Sequence, residues 1–446
     1  MPGEEAVSQA SLERERLATL RRLIAELLPS NRFYSDRIKQ AGLERYLPDL
    51  QHFFSVMPLT TKAEIAEDQA NYPPFGTNLT YSIDRYARLS KTSGTSGRII
   101  RWADTAKDWS WMLGNWKRVY RAAGVTAGDR LYFAFSFGPY LGFWTAFEAA
   151  ANLGCLCVSG GGKSSIERIR DILEDGVTIV CCTPSYALRL AEVAEAEHAD
   201  IKRAAVRGLI VAGEPGGSVP TVRERIAKAW GSSVVADHHG MTETGPVSYQ
   251  CPANPGVLHV IDSSYIAEVI DPADNSAHGR RLLPGQRGEL VLTTLGRVGS
   301  PVLRYRTGDM VEFGAAGPCA CGTLDTALVG GILGRVDDMV IVRGVNLYPS
   351  ALENQIRAID GIAEYRVRLS GSSSLAELVI EIEPYPDWPR RAELAARLET
   401  DLRTAFSLRT TVRMLKPGSL PRFEMKASRW VREDLPISHK FNPHRS

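Results

Sequence analysis

Hydrophobic and polar residues follow patterns that predict helices near the N-terminus and then a repeat of strands and helices. The segment SLERERLATLRRLIAELLP has apolar residues at helical spacing and stops at Pro29. Between Asp129 and Pro301, short apolar runs alternate with amphipathic segments. This alternation predicts a parallel, doubly wound sheet with helices on both faces. The strand-like runs are DRLYFAFSF, CLCVSG, VTIVCCTPS, VRGLIVAGEP and SSVVADHHG.

After Glu243 the pattern changes to a strict alternation of apolar and polar residues, which predicts antiparallel strands. The segments HVIDSSYIAEVID, GELVLTT and DMVEFG show it, and we expect them to form a β-rich subdomain. Beyond a glycine-rich passage, EYRVRLS and ELVIEIEP predict strands, and AELAARLETDLRTAF predicts a helix. The fold class is therefore α/β: a large N-terminal domain with mixed sheets, followed by a small α+β domain that could move as a unit.

Composition narrows the class of protein and its surroundings. The chain has 446 residues, 44% of them hydrophobic and 23% charged, as expected for a globular protein of two or three domains. Lys and Arg total 53 against 51 for Asp and Glu, which argues against a nucleic-acid partner. No apolar run reaches the roughly 18–20 residues that span a bilayer, so no membrane association is expected. The N-terminus lacks the apolar core of a signal peptide, and the seven cysteines are an odd number, so we expect reduced thiols in the cytoplasm.

The segment SKTSGTSGR, residues 90–98, has the residue types of a phosphate-binding turn. Glycines let the backbone approach a ligand closely, hydroxyls donate to oxyanions, and the flanking cations offset charge. The spacing is not that of a Walker loop. Alone, the segment could equally be a flexible polar linker.

Five further segments follow it in order, and they strengthen the phosphate interpretation. AGEPGG (212–217) and DHHGMTETG (237–245) each follow a predicted strand, at the sheet edge where open α/β folds bind ligands. YRTGD (305–309) ends in a carboxylate behind a tight turn. GRVDDMVIVRGVNLYP (334–349) and LPRFEMKASR (420–429) complete the series.

This series resembles the AMP-forming adenylating superfamily, which includes acyl-CoA ligases, luciferases and the adenylation domains of peptide synthetases. RGVNLYPSALE and LPRFEMKA look closest to the phenylacetate-CoA ligase branch. The resemblance extends from about residue 50 to about residue 430 and implies a nucleotide site assembled from several loops. The residues that would hold the β- and γ-phosphates of ATP are Thr92, Ser93, Gly94, Thr95, Ser96 and Gly97. Those that would line the adenine and ribose are Gly213, Glu214, Pro215, Asp237, His238, His239, Gly240 and Met241.

The resemblance also implies the catalytic groups. Thr242 would contact the α-phosphate, and Glu243 would bind Mg²⁺, for which a carboxylate is a suitable ligand. Asp309 would accept hydrogen bonds from both ribose hydroxyls. Lys426 would be the adenylation lysine, acting as a point charge on the carboxylate and α-phosphate oxygens.

The same resemblance implies a domain boundary at a hinge. Asp337 would be the hinge residue and Arg335 would lie at the junction, so that residues 1–336 bind ATP and the acid while residues 337–446 form the mobile domain that carries the lysine. Arg343 and Gly344 would line the coenzyme A tunnel after the domain rotates.

Three positions depart from the pattern of the family. His239 stands where an aromatic residue, often Tyr, is usual; Met425 replaces a common Gly; and Arg98 replaces a common Lys. A histidine ring can still stack or form hydrogen bonds, whereas arginine keeps the charge with a different geometry.

An aromatic run, FAFSFGPYLGFW, extends from the first predicted strand of the repeat to the start of its first predicted helix. Phe137 and Tyr140, beside a Gly-Pro turn, are our candidates for the walls of an acid pocket, together with His239. Ordinary core packing is an equally good interpretation for most of the other rings. A small planar aromatic acid would suit such walls.

Three thiols and one imidazole form a separate candidate site. Cys251 and His259 in CPANPGVLH, with Cys319 and Cys321 in PCACG, could close a tetrahedral structural zinc site that joins two loops. The alternative is a set of reduced thiols and a surface histidine.

The sequence therefore predicts an ATP-dependent, AMP-forming ligase that joins an aromatic carboxylic acid of the benzoate, anthranilate or phenylacetate type to coenzyme A. The alternatives are an enzyme that loads an aryl acid onto the phosphopantetheine of a carrier protein, and a non-catalytic nucleotide-binding relative. The expected cofactors are ATP, Mg²⁺ and coenzyme A, with structural zinc as an option. We leave open a carrier protein as a partner and a homodimer as the assembly.

Overall fold

A computed structural model describes residues 8–92, 99–232, 234–338, 340–342, 345–370, 377–406, 408, 410–423 and 429–433. Its α-helices are α1 Gln9–Leu27, α2 Arg32–Gln40, α3 Leu50–Val56, α4 Lys62–Asn71, α5 Ala106–Ala122, α6 Leu141–Ala151, α7 Ser165–Glu174, α8 Pro184–Ala196, α9 Pro220–Trp230, α10 Pro349–Arg357 and α11 Arg391–Phe406.

Its strands up to the antiparallel region are β1 Tyr86–Lys91, β2 Arg101–Thr105, β3 Arg130–Phe133, β4 Leu156–Ser159, β5 Ile179–Cys182, β6 Gly208–Ala212 and β7 Val234–His238. Those that follow are β8 Gly240–Met241, β9 Gly245–Pro246, β10 Ser248–Gln250, β11 Val257–Val260, β12 Tyr265–Ile270, β13 Arg287–Thr294, β14 Tyr305–Glu312, β15 Ala327–Val329, β16 Gly334–Arg335, β17 Val340–Val342, β18 Val345–Leu347, β19 Ile362–Ser370, β20 Glu377–Pro384, β21 Thr411–Met414 and β22 Trp430–Glu433.

The strand–helix repeat forms the parallel sheet that the sequence predicts, in the order β4–β3–β5–β6–β7. Successive side chains of a strand point to opposite faces. On β5, Ile179 and Cys181 pack into the core beneath α5 and α6, whereas Val180 and Cys182 pack into a second core with α7, α8 and α9. Both faces are therefore covered, and the doubly wound arrangement is confirmed.

The region after Glu243 is antiparallel, also as predicted. One sheet has the order β12–β13–β14–β16 and another the order β10–β11–β15. One detail differs, because Asp309 lies inside β14 and not behind a tight turn. There Gly308 has a φ of +75° and its N–H donates to the side chain of Glu289, at a point where the pairing of β13 with β14 shifts register. The irregular strand turns the Asp309 side chain toward β7.

Contacts between Cα atoms divide the chain into two compact units, Met1–Val336 and Asp337–Ser446. In the second unit, strands in the order β21–β20–β19–β22 pack with α10 and α11 around an apolar core. The first unit begins with α1, which starts at a capping box on Ser8 and packs with α2 and α3. Among the residues that the structure describes, no helix is both long enough and apolar enough to cross a membrane.

Candidate active site

The predicted adenine loop and the DHHGMTETG segment meet at the carboxyl ends of two adjacent parallel strands. Ala212 at the end of β6 pairs with His238 at the end of β7, so the two loops leave the sheet side by side. Gly213 has a φ of +94°, which an L side chain rarely adopts, and this lets the chain turn sharply as it leaves β6. The fold therefore brings these two motifs together as the sequence predicts.

Two acidic residues of these loops hold backbone and neighbouring side chains in place. Glu214 accepts hydrogen bonds from the N–H, at 2.8 Å, and the hydroxyl of Ser185 at the start of α8. Asp237 accepts a 2.5 Å hydrogen bond from the Ser218 hydroxyl, and burial raises the pKa of its carboxyl group. Gly217 lies against it, because a Cβ there would come within 2.5 Å of Asp237. Both acids shape the loop, so any contact with a base at this place falls mainly to the backbone.

His239 and Arg335 converge on Asp309. The Nε2–H of His239 donates to one carboxylate oxygen at 3.1 Å, and Arg335 donates to the other at 2.8 Å. Burial opposes ionisation of Asp309, but the hydrogen bond from His239 and the charge of Arg335 hold its pKa below the usual value. The Nδ1 atom of His239 is buried without a partner among the described residues. Both oxygens of Asp309 thus already accept hydrogen bonds. A ribose diol would have to share the carboxylate with His239 and Arg335 or displace them.

His238 points to the other face of the sheet. Its Nδ1–H donates to the carbonyl oxygen of Ser248 at 2.6 Å, and its ring lies 4.3 Å from the ring of Trp116 on α5. Burial lowers the pKa of His238 to about 4, so the ring is neutral at pH 7. The structure does not bring this side chain to Asp309, because adjacent residues of an extended strand point in opposite directions.

Thr242 and Glu243 lie in a short turn between β8 and β9 that a buried arginine holds from below. Arg297 donates to the carbonyl oxygens of Thr242 at 2.7 Å and of Glu243 at 2.9 Å. It also forms a two-bond pair with Asp104 on β2, at 2.6 and 2.9 Å, and both side chains are fully buried. A guanidinium group can make these four contacts at once because its donors form a rigid fork. The sequence analysis did not identify Arg297 or Asp104.

Lys62 is a further residue that the sequence analysis missed. Its ammonium group lies 3.4 Å from the carboxylate of the nearly buried Glu243. Lys62 is the first residue of α4, after the Thr61 N-cap, where the positive end of the helix dipole disfavours a cation. That unfavourable position is the signal in the sequence that could have identified it.

The serine- and threonine-rich segment lies in the sequence between β1 and β2, which pair as antiparallel strands. Beyond the paired residues, the backbone N–H of Thr92 donates to the Ile100 carbonyl oxygen and that of Ile100 to the Thr92 hydroxyl, both at 3.0 Å. Residues Ser93 to Gly97 lie outside the described residues, so their predicted role stays a prediction.

The aromatic run divides between core and surface. Phe133 and Phe135 are buried, whereas Phe137 and Tyr140 are only partly buried. Phe137 packs against Phe135 at 5.5 Å between ring centroids, and Tyr140 contacts the ring of Phe143 at 6.0 Å. The two candidates thus lie on one aromatic cluster, and the neighbouring rings pack as core.

The cysteines and the histidine of the candidate metal site come together. The ligand atoms of Cys251, His259, Cys319 and Cys321 all lie within 4.8 Å of one another. The Sγ atoms of Cys251 and Cys319 are 3.6 Å apart, as are the Sγ atom of Cys321 and Nε2 of His259. The Nδ1–H of His259 donates to the carbonyl oxygen of Asp325 at 3.0 Å, which leaves the lone pair of Nε2 facing the thiols.

The predicted catalytic Lys426 and the predicted coenzyme A-binding residues Arg343 and Gly344 lie outside the described residues. The predicted hinge residue Asp337 is the exposed first residue of the second unit. The segments on either side of Lys426 are held by buried carboxylates. Glu383 accepts from the backbone N–H groups of Gly418 and Leu420, both at 2.8 Å. Glu364 pairs with Arg429 at 2.7 Å.

A doubly wound sheet whose glycine-rich loops meet buried carboxylates at the carboxyl ends of the parallel strands is an arrangement typical of nucleotide-binding enzymes. The sequence profile of the AMP-binding enzyme family matches residues 62–296, and the profile of the AMP-binding enzyme C-terminal domain matches residues 344–433. The chain belongs to the AMP-binding enzyme family, and the resemblance found from the motifs is confirmed.

Similar proteins of known sequence and structure agree with this assignment. The chain is 30% identical to phenylacetate-coenzyme A ligase of Pseudomonas putida, over 88% of this chain and 93% of that protein. It is 29% identical to the ligase of the same name from Thermus thermophilus, over 93% of this chain and 94% of the relative. The crystal structure of 2-hydroxyisobutyryl-CoA ligase in the postadenylation state, in complex with 2-HIB-AMP, superposes with a TM-score of 0.90 at 27% identity, over 96% and 91% of the two chains.

Proposed function

We propose that this protein is an ATP-dependent, AMP-forming ligase that activates an aryl carboxylic acid and transfers it to coenzyme A. The relatives named phenylacetate-coenzyme A ligase cover nearly the whole chain and support an acid–CoA ligase; they do not favour the carrier-protein alternative. The observation that carries the proposal is the convergence of the adenine loop, the His239–Glu243 segment and Asp309 at one sheet edge.

The chemistry needs activation because a carboxylate has no adequate leaving group. Attack of the carboxylate on the α-phosphorus of ATP gives an acyl-adenylate and pyrophosphate, and attack of the coenzyme A thiol on the adenylate releases AMP. Catalysis of the first step rests on positioning and on charge stabilisation. We assign the α-phosphate to Thr242, the ribose to Asp309 and the base to the backbone of Gly213–Pro215. We assign the charge that develops in the transition state to Lys426.

Glu243 is the residue that would hold Mg²⁺. Its carboxylate is nearly buried, its backbone is held by Arg297, and the Lys62 ammonium group already offsets its charge. A hard divalent cation prefers such oxygen ligands, and when bound it would neutralise charge on the phosphates. Glu243 therefore fits a magnesium role by its chemistry.

The acceptor half of the reaction is assigned to the second unit. We propose that residues 337–446 rotate about Asp337 between the two steps, and that Arg343 and Gly344 then line the coenzyme A tunnel. The buried carboxylates Glu383 and Glu364 hold Leu420 and Arg429, which lie on either side of Lys426 in the sequence of the unit that we propose to move. None of the seven cysteines forms a disulfide, and ATP and coenzyme A are intracellular substrates, so we propose the cytoplasm as the location.

We propose that the cluster of Cys251, His259, Cys319 and Cys321 holds a structural zinc ion. Ligand atoms 3.6 Å apart are the spacing expected around a tetrahedral ion with bonds of about 2.0–2.3 Å. The backbone N–H of Asn254 donates to the Cys251 sulfur, and hydrogen bonds led by that from the Cys321 backbone lower the pKa of the Cys319 thiol, which favours a thiolate ligand. The site would join the β10–β11 hairpin to the loop between β14 and β15.

The function is tested with purified full-length protein, ATP, Mg²⁺ and a panel of aryl acids. We expect pyrophosphate release with at least one acid, and formation of AMP and an acyl-CoA thioester in equal amounts when coenzyme A is added. Coenzyme A and a holo-carrier protein are compared as acceptors with the best acid. Absence of pyrophosphate release with every acid would refute the proposal. Faster transfer to the carrier protein than to coenzyme A would show that the carrier protein is the acceptor.

A further inference from the structure

The buried side chain of Arg297 binds the backbone of the turn that carries the proposed magnesium ligand. One of its terminal nitrogens donates to the carbonyl oxygens of Thr242 at 2.7 Å and of Glu243 at 2.9 Å. The hydroxyl of Tyr265 donates to the next carbonyl oxygen, that of Thr244, at 2.9 Å. Three successive carbonyl oxygens of the turn therefore accept hydrogen bonds from buried side chains, which fixes the course of its backbone.

The rest of the Arg297 guanidinium group is anchored to β2. It donates to both carboxylate oxygens of Asp104, at 2.6 and 2.9 Å, and both side chains are fully buried. The loop that carries Arg297 is bound to the same place: the Ser300 hydroxyl donates to the carbonyl oxygen of Ala103 at 2.7 Å, and Asp108 at the start of α5 accepts from two backbone N–H groups of the loop. Arg297 thus links the turn to a frame formed by β2 and α5.

Glycine residues allow this loop to lie close to α5. A Cβ at Gly296 would come within 2.2 Å of the Trp111 ring, and a Cβ at Gly299 within 2.3 Å of the Asp108 carboxylate. A side chain at either position would push the loop away from α5, and Arg297 with it. The close approach therefore sets where the guanidinium group meets the turn.

We propose that Arg297 is a positioning residue for the metal: by fixing the backbone of Thr242 and Glu243 to β2, it keeps the Glu243 carboxylate in place to bind Mg²⁺ on ATP. This inference rests on the ligase function proposed above and adds a residue that lies outside the nucleotide motifs. Mg²⁺ requires near-ideal octahedral geometry with bonds of about 2.0–2.1 Å, so a small displacement of one ligand weakens binding. Groups that orient a metal ligand typically contribute about 10–100-fold in metal affinity.

The first unit contains a second fully buried pair of the same kind, which serves as a matched control. Arg304 donates to both carboxylate oxygens of Glu268 at 2.9 Å, and also to the carbonyl oxygens of Phe54 at 2.6 Å and Met57 at 2.7 Å. These carbonyls lie outside the candidate site. The two arginines therefore differ in which backbone they hold, and not in the type of contact.

The test measures how much Mg²⁺ strengthens ATP binding, with no acid present so that no turnover occurs. The Kd for ATP is measured by calorimetry in EDTA and in Mg²⁺, and the ratio of the two values reports the metal contact. Arg297→Lys keeps the charge beside Asp104 but loses the rigid fork that serves the carboxylate and both carbonyls at once. We expect this variant to lower the ratio about tenfold, the lower end of the range for a group that orients a metal ligand. Glu243→Gln should lower it at least as far, and Arg304→Lys should keep the ratio of the wild type.

A second variant covers the case in which a lysine is not tolerated in the core. Arg297→Met combined with Asp104→Leu removes both members of the pair, so that no buried charge is left unpaired. It also removes both donors to the turn, and we expect the ratio to fall at least as far as in Arg297→Lys. Melting temperatures are measured alongside: Arg297→Lys and Arg304→Lys should lose similar amounts, although only the first loses the effect of Mg²⁺.

The outcomes separate this inference from the ligase proposal. An unchanged ratio in Arg297→Lys would refute the positioning role, and so would an equal loss in Arg304→Lys, because the cause would then be a general loosening of the fold. Wild-type ATP binding that does not depend on Mg²⁺ would also refute it. In these cases pyrophosphate release by the wild type would still support the ligase function. If ATP binding depends on Mg²⁺ and on Arg297 but no acid leads to pyrophosphate release, the positioning role stands and the ligase function is refuted.

Discussion

The predicted nucleotide site and the cysteine–histidine cluster both gather residues from distant parts of the first unit, but they do so in opposite ways. In the nucleotide site, each key carboxylate already has basic partners: Glu243 has Lys62, and Asp309 has His239 and Arg335. In the cluster, the four ligand atoms face one another within 4.8 Å.

This difference fits the roles that we propose: the nucleotide site would bind and release substrates, whereas the cysteine–histidine cluster would hold one ion permanently. A catalytic site must accept and release charged substrates, and in the proposed nucleotide site the carboxylates are paired with basic side chains that a ligand could replace. A structural metal site gains from having its ligands in place, because the energy of metal binding then adds to the energy of folding. The four ligand atoms of the proposed zinc site already face one another in this way.

The largest effect is expected for Lys426→Ala, which removes the positive charge that we assign to stabilising the transition state of adenylation. Adenylation, followed as pyrophosphate release, should fall about 10³-fold, the upper end of what one preorganised group supplies. Thioester formation from a supplied acyl-adenylate should fall far less. Lys416→Ala, an exposed lysine of the same unit, is the control. Equal losses in both steps would show that the lysine has no special part in the first.

Glu243→Gln should lower adenylation about 10²-fold, because an amide is a poor substitute for an anionic ligand of Mg²⁺. If the two sites are independent, the zinc content of this variant should equal that of the wild type, as measured by elemental analysis. Glu224→Gln changes an exposed acid on α9 and should leave adenylation unaltered. An adenylation rate equal to that of the wild type in Glu243→Gln would show that Glu243 has no catalytic role.

Cys319→Ser should impair the proposed zinc site and leave the proposed nucleotide site largely unchanged. We expect bound zinc to fall from one equivalent to almost none and the melting temperature to fall by about 5 °C, the shift for a loss of about 2 kcal/mol in a large domain. The KM for ATP should change little. Cys157→Ser, at a thiol outside the cluster, is the matched control for both measurements. Full zinc content in Cys319→Ser would contradict the proposed ligand set.

The smallest effect is expected for Lys62→Ala. Because its ammonium group competes with a metal ion for Glu243, its removal should lower the Mg²⁺ concentration for half-maximal adenylation about threefold, the range of a partly exposed ion pair. Lys107→Ala removes an exposed lysine on α5 and should not change the Mg²⁺ requirement. An unchanged requirement in Lys62→Ala would mean that the pair does not influence metal binding.

Local pattern was enough to predict the class of the fold, whereas the residues of the candidate site were proposed from the resemblance of the motifs to a family. Strand–helix alternation predicted the parallel sheet, and strict alternation predicted the antiparallel region, because the period of apolar residues directly reports which faces are buried. The resemblance of the motifs named Gly213, His239, Glu243 and Asp309 as site residues, and the structure brings His239 and Asp309 into contact. Strand alternation alone puts His238 and His239 on opposite faces, but nothing local showed that His239 is the one that meets Asp309, because Asp309 comes from a strand far away in the sequence.

The sequence by itself determined the two kinds of sheet, the order of the nucleotide motifs and the ligand types of the metal cluster, since all three depend on residue type and spacing. Only the tertiary structure decided that Lys62 faces Glu243, that Arg297 bonds to the backbone of the Thr242–Glu243 turn and that the ring of His238 packs against Trp116. Those are contacts between segments far apart in the chain. Their geometry follows from how sheets and helices pack, which no local pattern records.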